Sequence, residues 1–207
     1  MKFLSRSRGF TKGDSGLKSH FRMTEVTHLT LPEMESGFVR ICESPKDSGV
    51  LRLIVRRPQP GARETLQEGE LTLSDGLVGD GWHARGSSRR PDGSPDPENQ
   101  ITVMNARVVE LLAPEKDRWP LAGDQLFVDL DLSAENLPAG SRLSIGSAVI
   151  EVTAQPHTGC KKFQARYGSD AIKFVNSPEG RKWNLRGINA KVVKEGRVRV
   201  GDVVQKV

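Results

Sequence analysis

The chain has 207 residues, of which 36% are apolar and 28% charged, with two cysteines and a formal net charge of +5. That length supports one sizeable core but is short for two ordinary domains; no apolar run reaches membrane-spanning length, and the N-terminus lacks the apolar centre of a secretory signal. Two cysteines 118 positions apart (160 minus 42) make neither a disulfide framework nor a metal knuckle, so the expected setting is the reducing cytoplasm.

The charge is unevenly placed. Residues 1–22 hold Lys2, Arg6, Arg8, Lys12, Lys18 and Arg22 against Asp14, a net +5 that equals the whole excess, so the body from Met23 onward is neutral. Rich in Ser, Gly and Lys, this stretch reads as a disordered basic tail, with Met23 the expected true start. The bulk charge therefore does not argue for nucleic acid, and neither nucleic acid nor membrane is an expected partner. Residues 23–49 read as an N-terminal extension, in which Cys42 of FVRICESP is buried packing, and 50–207 as the main domain.

Short strands and glycine turns fill that domain. Val50 to Val55 is a β-branched run, and Glu68 to Leu73 is a strand leading into the turn Gly76 to Asp80. Arg85 to Gln100, RGSSRRPDGSPDPENQ, has no aliphatic or aromatic residue and reads as a mobile surface loop, an insertion rather than a lid. Asn105 caps a helix over Ala106 to Ala113, stopped by Pro114, and Ser169 caps another over Asp170 to Asn176. Arg142 to Gly146 and Ala148 to Thr153 form a hairpin. A second hairpin pairs Ile188 to Val193 with Val198 to Val204, burying Val198, Val200 and Val203, with a bulge at Gly201. The fold class expected is mainly β, a barrel or sandwich with a few short helices.

The chemistry concentrates in Pro156-His157-Thr158-Gly159-Cys160-Lys161-Lys162-Phe163. A cysteine acts as nucleophile or metal ligand in its thiolate form, which neighbouring cations favour. From His157 to Arg186 there are seven Lys or Arg (Lys161, Lys162, Arg166, Lys173, Arg181, Lys182, Arg186) against Asp170 and Glu179, so the thiol is expected to look onto an anion-binding surface. His157 is a base, a donor behind the site, or a turn residue. Asp80 and the glycine-preceded Asp124 and Asp202 read as turn residues, Asn136 and Arg142 as supports of the loop and strand that frame the site, and Trp82 and Trp183 as pocket lining or packing. Cys160 and Arg166 also form C-x5-R, the spacing of thiolate phosphatases and rhodaneses, but the intervening KKFQA has no glycine and reads as the start of a helix. Zinc is disfavoured, since His157 and Cys160 offer two ligands where three are needed.

Taken together, GLVGD (76–80), AGDQLFVDLDL (122–132), ENLPAGSRLSIGSAVIEVT (135–153), PHTGCKKF (156–163) and RGINAKVVKEGRVRVGD (186–202) resemble a MOSC domain, the domain found at the C-terminus of molybdenum cofactor sulfurases and in amidoxime-reducing molybdenum enzymes. The resemblance implies a β-barrel-like fold and a molybdopterin site around the one family cysteine, which matches Cys160, either as a ligand to molybdenum or as a carrier of sulfur. Cys160 and His157 are then the catalytic candidates, and Thr158, Gly159, Lys161, Lys162, Arg166, Arg186 and Asp80 the cofactor-binding ones, with Lys161 and Arg186 nearest. Two cysteines cannot hold an iron-sulfur cluster, and 207 residues leave no room for a pyridoxal-phosphate domain, so neither cofactor is expected in this chain. A separate electron-transfer reductase or cysteine desulfurase is the expected partner. The expected activity is reduction of N-hydroxylated small molecules; the alternatives are a persulfide carrier on Cys160, or a non-enzymatic anion-binding barrel with an incidental thiol.

Overall fold

The computed structural model describes residues 27–207; the basic tail expected over 1–22 and the start at Met23 lie outside them. In chain order the elements are α1 (Leu31–Cys42), β1 (Ser48–Arg56), β2 (Glu64–Leu66), β3 (Glu68–Thr72), β4 (Gly76–Leu77), α2 (Trp82–Arg85), β5 (Ile101–Asn105), α3 (Ala106–Leu112), β6 (Leu126–Asp129), β7 (Arg142–Ile145), β8 (Ala148–Val152), α4 (Lys161–Tyr167), α5 (Ser169–Asn176), α6 (Pro178–Lys182), β9 (Ile188–Lys194), β10 (Gly196–Arg199) and β11 (Val203–Lys206). Two 3-10 segments, Pro97–Asn99 and Lys116–Ala122, punctuate the loops.

Seven strands run in the order β11, β7, β8, β9, β5, β6, β1, and β1 pairs back onto β11 to close a barrel, with β2 added beside β1. Closure removes the open edges that would otherwise recruit other chains. Strand alternation sorts the side chains into two cores. Leu51, Ile54, Ile101, Val103, Leu126, Val128, Ile145, Ile150 and Val204 share the interior cluster. Val55, Met104 and Phe127 point the other way and pack with Met34 and Ile41 of α1, Phe163 and Tyr167 of α4, and Phe174 and Val175 of α5. Strands β5 and β6, and the second half of β1 from Leu53, are thus covered on both faces, which explains their near-continuous apolar sequence. A register shift between Leu51 and Leu53 keeps the β1 alternation in step with both cores.

The barrel expectation holds, and the hairpin of β7 and β8 forms with Arg142 opposite Glu151 and Ile145 opposite Ala148. Asn105 caps α3 by accepting from the Arg107 N-H at 2.8 Å. The second hairpin does not form. β9 pairs with β8 and β5, whereas β10 crosses to β3 in a separate three-stranded sheet with β4. A turn at 199–202 then sends β11 back into the barrel. The alternation breaks there: Val198 is buried, but Val200 and Val203 are exposed and Val204 takes the inward place. Cys42 ends α1 and is half-buried rather than buried. The loop from Arg85 to Gln100 is anchored at its far end. Gln100 is buried, donating to the Leu73 carbonyl and accepting from the Val192 N-H, and the Glu98 carbonyl accepts from Thr153 Oγ1 at 2.6 Å. Polar residues satisfying one another explain how a stretch without apolar side chains can be tied down.

Candidate functional site

The segment 156–160 leaves β8 and enters α4, and its path is fixed from the α5 side. Asn176 accepts from the Gly159 N-H at 2.9 Å and donates back to the Gly159 carbonyl at 3.2 Å. A Cβ at Gly159 would meet the side chains of Val175 at 3.0 Å and of Ile172 and Asn176 at 3.2 Å, so a larger residue would have to push these neighbours back by a few tenths of an ångström. Phe163, one turn into α4, is buried in the outer core beneath the loop. Cys160 consequently stands at the head of α4 as a free, exposed thiol, flanked by exposed Lys161 and Lys162. Thr158 is exposed as well.

His157 turns the other way. It lines, with Pro156, Gln155, Asn184 and Asn189, a cleft of about 200 Å³ whose apolar wall includes Leu137, Val152 and Ile188. Only 16% of its side chain is exposed, and Nδ1 lies 3.5 Å from Asp124 Oδ1. Asp124 is fully buried and accepts on Oδ2 from Arg186 Nη1 at 2.7 Å. Arg186 also donates to the Ala122 carbonyl at 2.9 Å and stacks over Phe163 with 4.9 Å to the ring centroid. Burial, and next the Arg186 charge, push the His157 pKa down to about 3 against the attraction of Asp124. The imidazole is therefore neutral at physiological pH. Asp124 was legible only as a turn residue; that its carboxylate joins Arg186 and His157 depends on the approach of three distant chain segments.

A ring of guanidinium groups surrounds the loop from Trp119 to Asp124. Arg57 donates to the Gly123 carbonyl, Arg63 to the Pro120 carbonyl, Arg166 to the Leu121 carbonyl, and Arg118 to the Arg166 carbonyl. Two of the charges in this region are compensated. Arg57 forms a bidentate pair with Asp80, at 2.9 and 3.0 Å, and Arg186 is paired with Asp124. Arg63, Arg118 and Arg166 have no carboxylate partner among the described residues, and burial followed by Arg166 and Arg57 holds Arg63 below the usual guanidinium range. The region is an electropositive surface able to receive an anion.

The structure thus brings His157, Thr158, Gly159, Cys160, Lys161, Lys162, Arg166 and Arg186 into one neighbourhood, although Arg186 spends its charge internally. Asp80 is set apart: its side chain is fully buried, held by Arg57 and by the Trp82 N-H at 2.9 Å. Trp82 is buried with it. Trp183 packs edge-on against Phe38 and lines a second cleft of about 130 Å³ with Asn136. Asn136 is a loop support as expected, donating to the Lys46 and Asp131 carbonyls. Arg57, Arg63, Arg118 and Asn176 were missed, because single polar residues far apart in sequence give no local signal. No group of three or more His, Cys, Asp or Glu side chains able to hold a metal ion occurs among the described residues, and none of the described helices is long and apolar enough to cross a membrane.

Comparison with known proteins agrees with the barrel fold. The family model for the MOSC domain matches residues 95–205, slightly more than half of the chain. Among solved structures, the YuaD protein from Bacillus subtilis is 17% identical with a TM-score of 0.56, the match covering 77% of this chain and 95% of that one. A hypothetical protein is 21% identical with a TM-score of 0.52, covering 77% and 69%. YiiM from Escherichia coli is 20% identical with a TM-score of 0.49, covering 76% and 69%. At these identities the first two show a shared fold and nothing more. No curated protein gives a match.

Proposed function

Given that the chain belongs to the MOSC domain family, we propose that it binds a molybdopterin-type molybdenum cofactor with Cys160 as protein ligand and reduces N-hydroxylated small molecules, drawing electrons from a separate reductase. The observation that carries this reading is the exposed thiol of Cys160 at the head of α4, with Lys161, Lys162 and Arg166 on that helix and His157 of the cleft three residues before it. The donor set fits the group. One soft sulfur is available and no protein cage of three ligands exists among the described residues, so a metal here arrives already chelated, which is what a pterin-borne molybdenum is.

Each residue has a task in this reading. Cys160 supplies the thiolate ligand, and the Asn176 clamp on Gly159 keeps that sulfur in one place. Lys161, Lys162, Arg63 and Arg166 offer charge-assisted hydrogen bonds to the pterin phosphate. Arg186, neutralised by Asp124, instead braces the wall beneath. His157 presents a neutral imidazole to the cleft in which the small molecule is bound. The cofactor, when bound, supplies two-electron chemistry at an N-O bond. His157 lies three residues before Cys160, which bounds their separation along the chain at about 11 Å, so in this reading the cleft and the sulfur share one loop.

The test is molybdenum content per protein, measured by elemental analysis after expression in a host that makes molybdopterin. Near-stoichiometric metal is expected in the wild type and none in Cys160→Ser; because the residue is exposed, the variant should keep the wild-type unfolding midpoint. Absence of metal from both forms would overturn the reading and leave the same thiol as a persulfide carrier loaded by a desulfurase, detectable as one extra sulfur by mass spectrometry.

A further inference from the structure

Among the described residues, four side-chain polar atoms are fully buried without a hydrogen-bond partner, and three belong to one cluster: Asp124 Oδ1, His157 Nδ1 and Arg186 Nε. The first two face each other across 3.5 Å. A neutral imidazole carries one proton. If that proton sat on Nε2, the Nδ1 lone pair would point at a carboxylate oxygen in a buried setting, two acceptors with no hydrogen between them, which is a costly arrangement. With the proton on Nδ1, an N-H in place of a second lone pair meets the carboxylate across the 3.5 Å gap, an attractive contact although longer than a regular hydrogen bond. Nε2 is absent from the buried orphans, so the lone pair it then carries is on the accessible part of a ring that lines the cleft.

The rest of the cleft adds further acceptors. Asn184 spends an N-H on the Leu132 carbonyl and Asn189 one on the Gln155 carbonyl, while Thr153 gives its hydroxyl hydrogen to the Glu98 carbonyl. The side-chain oxygens of Asn184 and Asn189 accept nothing from the described residues. The lining thus offers a visitor these two amide oxygens and the His157 Nε2 lone pair, beside one remaining N-H on each amide.

We propose that Asp124 is a positioning residue that fixes His157 as its Nδ1-H tautomer, making the cleft an acceptor site for small molecules that present N-H or O-H donors. The assignment of the tautomer stands apart from any cofactor; the choice of an amidoxime as probe rests on the reading above.

The experiment is long-range proton-nitrogen NMR correlation on the full-length protein with nitrogen-15 histidine. In the wild type at neutral pH, Nδ1 of His157 should carry the proton and Nε2 should show the shift of an unprotonated ring nitrogen. In Asp124→Asn, Arg186 Nη1 still requires an oxygen opposite it, so the new amide NH2 faces Nδ1 and the proton moves to Nε2. A wild-type ring protonated on Nε2, or on both nitrogens, would overturn the assignment, and this holds even if the variant does not fold. Addition of benzamidoxime should shift the wild-type Nε2 resonance and leave that of Asp124→Asn in place. A probe without effect on the wild type overturns the donor preference; metal content, measured separately, decides the cofactor reading.

Discussion

His157 keeps 16% of its side chain exposed while its Nδ1 is sealed against Asp124, and this has a thermodynamic consequence. Its folded pKa of about 3 lies below the ordinary 6.5, chiefly because burial and the Arg186 charge oppose a second cation, with Arg57 and Arg89 adding to the opposition and Asp124 resisting it. Below pH 6.5 the unfolded chain takes up a proton that the folded chain refuses. Stability is therefore unaffected by this group above that pH and falls as pH drops toward 3, by up to about 1.4 kcal/mol per pH unit. Urea midpoints at pH 7 and pH 5 should differ by the equivalent of about 2 kcal/mol more in the wild type than in His157→Gln. Equal pH dependence in the two proteins would show that the ring titrates in the fold as it does in the unfolded chain. Neither the pKa nor its cause could be read from PHTGCKKF, whereas the exposure of Cys160 could: a glycine before it and two lysines after it are poor company for a buried thiol.

At the level of elements, the sequence was informative wherever neighbours in the chain become neighbours in space. Asn105 announced α3, and Gly146 announced the hairpin of β7 and β8. It misled at β9 and β10, where a valine alternation looked like half of a hairpin but serves two sheets in turn. The site depends on contacts of the same nonlocal sort. Arg57, just past β1, and Asp80, in the turn after β4, join the barrel to the small sheet through a buried bidentate pair. Removing one partner strands the other's charge, which costs about 3 to 5 kcal/mol. Asp80→Asn should lower unfolding free energy by that amount in a denaturant titration, with the proposed cofactor site weakened only through the displaced Arg57 and Gly123. A loss below about 1 kcal/mol would mean that Arg57 escapes to solvent.

Taken whole, the molecule is a closed barrel armoured on one side by helices, and its closing seam joins β1 to β11. Ser48 is opposite Gln205 there, a separation of 157 positions (205 minus 48). Most other pairings are between nearer segments, such as Ile145 with Ala148. Bringing such distant ends together costs loop entropy before any contact repays it, so the seam is expected to form late, after the rate-limiting step of folding. Val204 sits in the seam, fully buried between Gly49 and Ile145. Val204→Ala should remove about 2 kcal/mol of stability and express it almost wholly as faster unfolding, with the refolding rate unchanged. Slowed refolding would place the seam in the nucleus instead. A seam that zips last is also the first to part: transient opening between β1 and β11 should give these strands the fastest amide exchange in the barrel, while β5 and β6, covered on both faces behind the thiol, exchange only when the whole molecule unfolds.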